Sequence, residues 1–216
     1  MSKSHCPRDH QSFELKLLLR RRLLAGLRPE GLCDLCAGQG RLLRALAADF
    51  AFAHAVEKNE RKAEILAARL KEEGLDHVTV HRMDHEKFVR DLLPGLDAVN
   101  FLDVDAYQNP HPLLRLVFSN WRPAGPAAIA VTDGGRLGIV RGQRLRLDQY
   151  RGRLTPGAAP GPPARAHPLL VAEHELIVRA FWRELAAKRR LVVRDFIAAW
   201  PPGRRVLYYG LIVEPD

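Results

Sequence analysis

The sequence predicts a doubly wound α/β fold: a mostly parallel, seven-stranded sheet that ends in a C-terminal antiparallel hairpin. Three observations predict it. Short apolar runs alternate with helical stretches over the first five strands. A glycine turn, C-D-L-C-A-G-Q-G at 33–40, joins the first run to the helix after it. Two β-rich runs then close the chain on either side of Pro201-Pro202-Gly203. Parallel strands need a crossover, so short apolar strands separated by helices read as βαβ units with both sheet faces covered. The 216 residues suffice for one sizeable core.

Residues 13–27 form the first predicted helix. Phe13, Leu17, Leu18 and Leu24 fall near one face, while Lys16 and Arg20 to Arg22 point toward another. The expectation is a covering helix with a solvated basic face. Residues 1–28 are therefore set apart as an N-terminal helical segment, and 29–216 as the main domain. Strands are predicted at 32–36, 52–56, 77–81, 98–102 and 127–131. The intervening helices are predicted at 41–49, 60–73, 86–93 and 112–120. The Pro/Gly/Ala-rich stretch 154–167 (LTPGAAPGPPARAH) has no period and is predicted to be an exposed, mobile loop, either a cover for substrate or a surface insertion. A helix over 169–188 and strands at 191–196 and 205–213 complete the prediction.

Charge narrows the partner. Lys and Arg total 34 against 25 Asp and Glu, a formal net charge of +9. Such an excess favours a polyanion, nucleic acid above all. Three cysteines, Cys6, Cys33 and Cys36, argue against a disulfide scaffold and for a reducing compartment. The C-x-x-C spacing of Cys33 and Cys36 invites a metal or redox reading, but no second Cys/His pair accompanies it, and no metal is expected. Residues 1–11 are polar, and no apolar stretch approaches the roughly 20 residues that span a bilayer. The expected location is the cytoplasm, with no membrane partner.

The chemistry begins at Cys33–Gly40. Gly38 and Gly40 permit tight backbone conformations and let a ligand approach the main chain. A dinucleotide fingerprint would need a third glycine where Leu43 stands. The loop D-L-C-A-G-Q-G instead resembles motif I of class I S-adenosylmethionine-dependent methyltransferases, which have a Rossmann-like sheet with an antiparallel end. The resemblance implies that backbone from Cys36 and Ala37 to Gly38 and Gly40 holds the methionine part of the cofactor, with Asp34 near its amino group. Glu57, 17 residues after Gly40, ends the second strand, where a carboxylate can accept both ribose hydroxyls. Lys58 lies beside it. In M-D-H (83–85), Asp84 is placed to accept from the adenine amino group, with His85 adjacent. Asp34, Glu57 and Asp84 at three successive strand ends suit S-adenosylmethionine.

The fourth strand runs into N-F-L-D-V-D-A-Y-Q-N-P (100–110). The carboxyl end of a central strand is where open α/β sheets bind ligands. Tyr107 suits stacking against a flat base, and Asp105 suits accepting from an exocyclic amine. This segment resembles the tRNA guanine-N2 dimethyltransferase family, whose motif reads D-L-D-P-[FY]-G-[ST]-P. Asp103, Asp105, Tyr107 and Pro110 match it, while Ala106, Gln108 and Asn109 depart from it. The stretch A-V-T-D (130–133), His174-Glu175 and the closing run 206–213 are also similar to that family. The resemblance implies Asp105, Tyr107 and Asp103 as catalytic residues, with Asp103 also near the cofactor. His111 is either a proton relay or a bystander.

Arg136, Arg141, Arg144, Arg146, Arg151 and Arg153 follow the fifth strand, with Tyr150 among them. They suit phosphate contacts. The leading expectation is an RNA methyltransferase acting on tRNA-like RNA, at an exocyclic nitrogen such as guanine N2. A DNA methyltransferase, a small-molecule methyltransferase, and a non-catalytic module that keeps the fold and binds RNA or protein stay open.

Overall fold

A computed structural model describes residues 7–106, 109–135, 173–201 and 206–216. The predicted elements appear, most with ends shifted by one to three residues; the first helix begins six residues earlier than predicted, and residues 169–172 of the last predicted helix lie outside the described residues. Helices are α1 (Pro7–Leu24), α2 (Arg41–Leu46), α3 (Glu60–Glu72), α4 (His85–Asp91), α5 (His111–Asn120) and α6 (His174–Arg189). Strands are β1 (Gly31–Asp34), β2 (Phe52–Val56), β3 (Val78–His81), β4 (Val99–Val104), β5 (Ala127–Asp133), β6 (Leu191–Ala199) and β7 (Leu207–Pro215). Short 3₁₀ turns extend α2 at Ala47–Asp49 and follow α4 at Leu93–Gly95.

All seven strands form one sheet in the order β3-β2-β1-β4-β5-β7-β6. Strands β1 to β5 pair in parallel, and β7 pairs antiparallel with both β5 and β6. The order reverses between β1 and β4, so their carboxyl ends open the crevice where such sheets take ligands. β1 and β5 are buried along their whole length, as central parallel strands must be when helices cover both faces.

The two faces hold two apolar clusters. On one, Leu19 and Leu23 of α1, Leu43 and Leu46 of α2, and Leu66 and Leu70 of α3 pack on Phe101, Ala128 and Ala130. On the other, Phe88, Leu114, Val117, Phe181 and Trp182 from α4, α5 and α6 pack on Leu102, Ile129 and Leu211. α1 approaches the sheet closely at Gly210: a Cβ there would lie 2.4 Å from Leu23 Cδ1 and 3.2 Å from the Ile129 carbonyl. No helix of the described residues is long and apolar enough to cross a membrane.

The structure corrects the expected orientation of α1. Leu18 is 66% exposed; Leu17 and Leu24 pack against the core as expected, but only partly buried, and Leu19 and Leu23 carry the deepest packing. Lys16 and Arg20 belong to the inward face, and Arg20 is fully buried; only Arg21 and Arg22 of the basic run are exposed. The expected solvated basic face therefore shrinks to those two residues. Cys33 is buried packing in β1, whereas Cys36 lies past the strand in the turn. The predicted loop 154–167, Tyr107, and the arginines 136, 141, 144, 146, 151 and 153 lie outside the described residues.

Candidate active site

The β1–α2 loop is built by hydrogen bonds that pull it across the sheet top. Leu35 N donates to the Asp103 carbonyl and Ala37 N to the Val56 carbonyl, both at 3.0 Å. Asp34 Oδ1 accepts from Cys36 N at 3.0 Å, which turns the chain sharply after β1. Gly38 and Gly40 both take left-handed backbone angles, φ 57° and φ 73°. Their surroundings differ. A Cβ at Gly38 would meet nothing within 4 Å, whereas one at Gly40 would lie 2.2 Å from Leu66 Cδ1. Gly38 thus opens onto the crevice, while Gly40 lets α2 start against α3.

The crevice holds a cavity of about 850 Å³, within the range of small-molecule sites. Asp34, Cys36, Ala37, Gly38, Glu57, Lys58 and His85 from the sequence-predicted cofactor set line it, and so does Asp105. Glu57 Oε1 accepts from Asn59 N at 2.7 Å, which fixes the carboxylate at the end of β2. Gly40, Asp84 and Asp103 do not line the cavity. Asp84 is exposed and caps α4, with Oδ1 accepting from Glu86 N at 2.9 Å; its neighbours Met83 and His85 form the wall.

Asp103 is committed elsewhere. Arg20 Nε and Nη2 donate to its two oxygens at 2.5 and 2.6 Å, and both side chains are sealed from solvent. Burial pushes the Arg20 guanidinium down, but the Asp103 charge and hydrogen bond, with the charges of Asp105 and Asp34, together outweigh it and leave the group raised. One turn earlier, Lys16 Nζ reaches both oxygens of Asp105 at 2.6 and 2.7 Å, and this pair does face the cavity. Burial raises the Asp105 carboxyl, yet Lys16 and then Arg20 outweigh it and hold the group below its ordinary range.

Sequence reasoning missed this contribution from α1. Ser12, Phe13 and Lys16 form one side of the cavity. The available signal was the 3–4 residue spacing of Phe13, Lys16 and Arg20, which places them on one helix face. The partners of Lys16 and Arg20 lie more than eighty residues away, which no local pattern reveals.

Three carboxylates, Asp34, Asp103 and Asp105, thus meet two cations. Arg20 and Lys16 are taken by Asp103 and Asp105, and no described residue forms an ion pair with Asp34. Burial first, and the Asp103 charge second, raise the Asp34 carboxyl well above its ordinary range.

Behind it lies a second polar cluster. His174 Nε2 bonds Asp133 Oδ2 at 2.8 Å, and Asp133 Oδ1 accepts from Gly135 N at 2.8 Å. His111 Nδ1 lies 2.6 Å from Asn109 Oδ1 and 3.8 Å from Asp133, and its Nε2 lies 3.5 Å from the Tyr209 hydroxyl. His111, Asp133 and His174 are all fully buried. The structure therefore joins A-V-T-D and His174, two separate points of the sequence resemblance. It also places His111 inside the packing, away from the cavity, since only its neighbours Asn109 and Pro112 reach the wall.

No family model and no curated protein matches the sequence. Among solved structures, Trm1 from Pyrococcus horikoshii with S-adenosyl-L-methionine superposes with a TM-score of 0.66 at 15% identity, over 100% of this chain and 58% of that one. TYW2 from M. jannaschii in complex with AdoMet gives 0.63 at 13% identity, over 100% and 80%. Trm5b from Pyrococcus abyssi gives 0.55 at 15% identity, over 97% and 49%. The fold is that of the class I S-adenosylmethionine-dependent methyltransferases.

Proposed function

We propose that the protein is an S-adenosylmethionine-dependent RNA methyltransferase of the cytoplasm that acts on tRNA-like RNA, at an exocyclic base nitrogen such as guanine N2. The observation that carries this reading is Asp34: a buried carboxylate on the cavity floor, beside an open glycine loop, with no ion-pair partner among the described residues. Ionising a buried carboxylate without a partner is costly. A ligand bearing an ammonium group next to a second positive centre relieves that cost, and S-adenosylmethionine carries both. Its sulfonium supplies the methyl group.

The residues divide the work. Asp34 takes the ammonium, and the loop backbone from Cys36 to Gly38 holds the methionine chain. Glu57 accepts from the ribose hydroxyls, with Lys58 beside it. Asp84 retains one carboxylate oxygen for the adenine amino group after capping α4 with the other, and Met83 and His85 flank the ring. Asp105 orients the N–H of the substrate amine and stabilises the positive charge that develops on nitrogen until the methylated amine loses its proton. Losing one such preorganised contact typically costs about 10²–10³ in rate. Asp103 acts indirectly, through Arg20, as the anchor of α1. The roles of Tyr107 and of the arginines from Arg136 to Arg153, as base platform and phosphate contacts, rest on the sequence alone.

The tRNA assignment is supported by the net charge, by the D-x-D-x-Y-x-x-P segment, and by structural neighbours such as the B. subtilis M1A22 tRNA methyltransferase TrmK, at TM-score 0.55 and 11% identity. The test is calorimetric titration with S-adenosylmethionine and S-adenosylhomocysteine, followed by labelled cofactor with bulk tRNA and with DNA. Binding with label in tRNA is expected, and nucleoside analysis then names the atom. Label in DNA alone would move the substrate. No binding would leave a non-catalytic module.

A further inference from the structure

The Lys16–Asp105 pair is a part of the site that the cofactor does not explain. Both side chains line the cavity and retain solvent access, 18% for Lys16 and 27% for Asp105. An ammonium has three donors, and Lys16 spends two on Asp105. Each carboxylate oxygen can accept a second bond. The pair therefore presents a donor directly beside an acceptor.

The position of that donor is fixed from behind. Arg20, one turn along α1, is locked to Asp103 with no solvent access, and Arg20 Nη1 donates to the Lys16 carbonyl at 3.0 Å. Lys16 Nζ also lies 5.3 Å from the centre of the Tyr208 ring, a cation–π distance. Phe13, at i−3 from Lys16, lines the same side of the cavity, and its ring is covered by the Arg41 guanidinium at 3.9 Å. α1 thus offers a wall of one flat ring and one fixed cation next to the carboxylate that meets the substrate amine.

We infer that Lys16 is a specificity-determining residue: while Asp105 takes the N–H groups on the edge of the target base, Lys16 donates to the carbonyl oxygen beside them. This rests on the guanine reading above, because guanine presents O6 next to N1–H and N2–H along one edge. Adenine offers a donor at the corresponding position, so Lys16 disfavours it by setting an ammonium against an amine. Specificity for the base then lies in α1, distant in sequence from the β4 motif that holds the amine.

The test uses the guanine-containing RNA fragment that accepts label from the wild-type protein, and the same fragment with 6-thioguanine at the labelled position. 6-Thioguanine keeps N1–H and the amine but replaces O6 by a poor acceptor. Wild-type kcat/KM should favour guanine by roughly 10- to 100-fold, the discrimination typical of a good base-edge contact. Lys16→Met, which keeps the stem, should lose most of that ratio, and Lys16→Arg should retain it. Cofactor affinity measured on the same variants shows that the site is intact. A wild type that treats the two bases alike, or a Lys16→Met variant that keeps the full preference while both rates fall together, overturns the inference and leaves the guanine reading standing. Absence of label in any guanine overturns both.

Discussion

Arg20 on α1 and Asp103 on β4 form a two-point ion pair, 2.5 and 2.6 Å, in a place that water does not reach. It ties the first helix to the central strand of the sheet. Breaking such a pair on one side strands the other charge, and the usual cost is roughly 3–5 kcal/mol. Arg20→Met should therefore lower stability to urea by about that amount. The double change Arg20→Met with Asp103→Leu should recover most of it, since an apolar replacement of both partners is often neutral. An Arg20→Met protein as stable as the wild type would show that the pair holds nothing.

Asp34 predicts a proton linkage. Its carboxyl is held well above the ordinary range, by burial and then by Asp103. Asp34 therefore holds a proton, before any ligand binds, at pH values where an ordinary aspartate has lost it. A ligand ammonium favours the ionised form and lowers that pKa. S-adenosylmethionine binding should release a proton from Asp34, and affinity should rise with pH between the bound-state and free-state values. Calorimetry in buffers of different ionisation enthalpy reads the release directly. Asp34→Asn should abolish it, and a binding heat independent of buffer in the wild type would remove Asp34 from the ammonium.

How far the sequence reached depends on the range of the interactions. β2 matches its predicted span, 52–56, because a short apolar run between turn residues is a local signal. Glu57 and the Gly38 loop also reach the cavity as the motifs implied, since a strand end and a helix start fix their places. α1 was misread because Leu and Arg alternate around it in L-L-L-R-R-R-L-L (17–24), leaving no dominant apolar face. Its inward face is chosen by Asp103 and Asp105, which local periodicity does not contain. Gly40 was read as a ligand contact, and its left-handed backbone is real, but a motif does not reveal that Leu66 fills the adjacent space.

The buried histidine cluster predicts acid sensitivity. Burial lowers the His111 pKa to about 4; Asp133 opposes the shift, while His174 and Arg115 add to it. The unfolded chain takes up a proton at this residue near pH 6.5, so between about 6.5 and 4 the unfolded state binds more protons. Stability attributable to His111 is complete above pH 6.5 and declines as pH falls toward 4, by about 3 kcal/mol in all. His54 and His81 are shifted in the same direction, chiefly by burial. Asp133 is held below its ordinary range, against the effect of burial, by His111 and His174, so its own loss falls below this window. Urea midpoints of the wild type should drop between pH 7 and about 4. His111→Gln should start lower and fall less steeply. Parallel curves would place the titration elsewhere.

The two loop glycines separate stability from binding. Both hold left-handed angles, which cost a side-chain-bearing residue roughly 1–2 kcal/mol. Gly38→Ala should pay only that, because its Cβ meets nothing within 4 Å. That Cβ projects from the wall of the cavity, so cofactor affinity should fall by more than the stability loss implies. Gly40→Ala adds a clash with Leu66, whose side chain is fully buried and has little room to yield. Overpacking of this kind costs roughly 1–3 kcal/mol more, and α2 and α3 must separate to relieve it. Thermal unfolding and S-adenosylmethionine titration on both variants give the comparison. Gly40→Ala should be the less stable protein and Gly38→Ala the one with the larger binding defect per unit of stability lost. If Gly38→Ala binds as tightly as the wild type, the loop backbone at 38 does not face the cofactor.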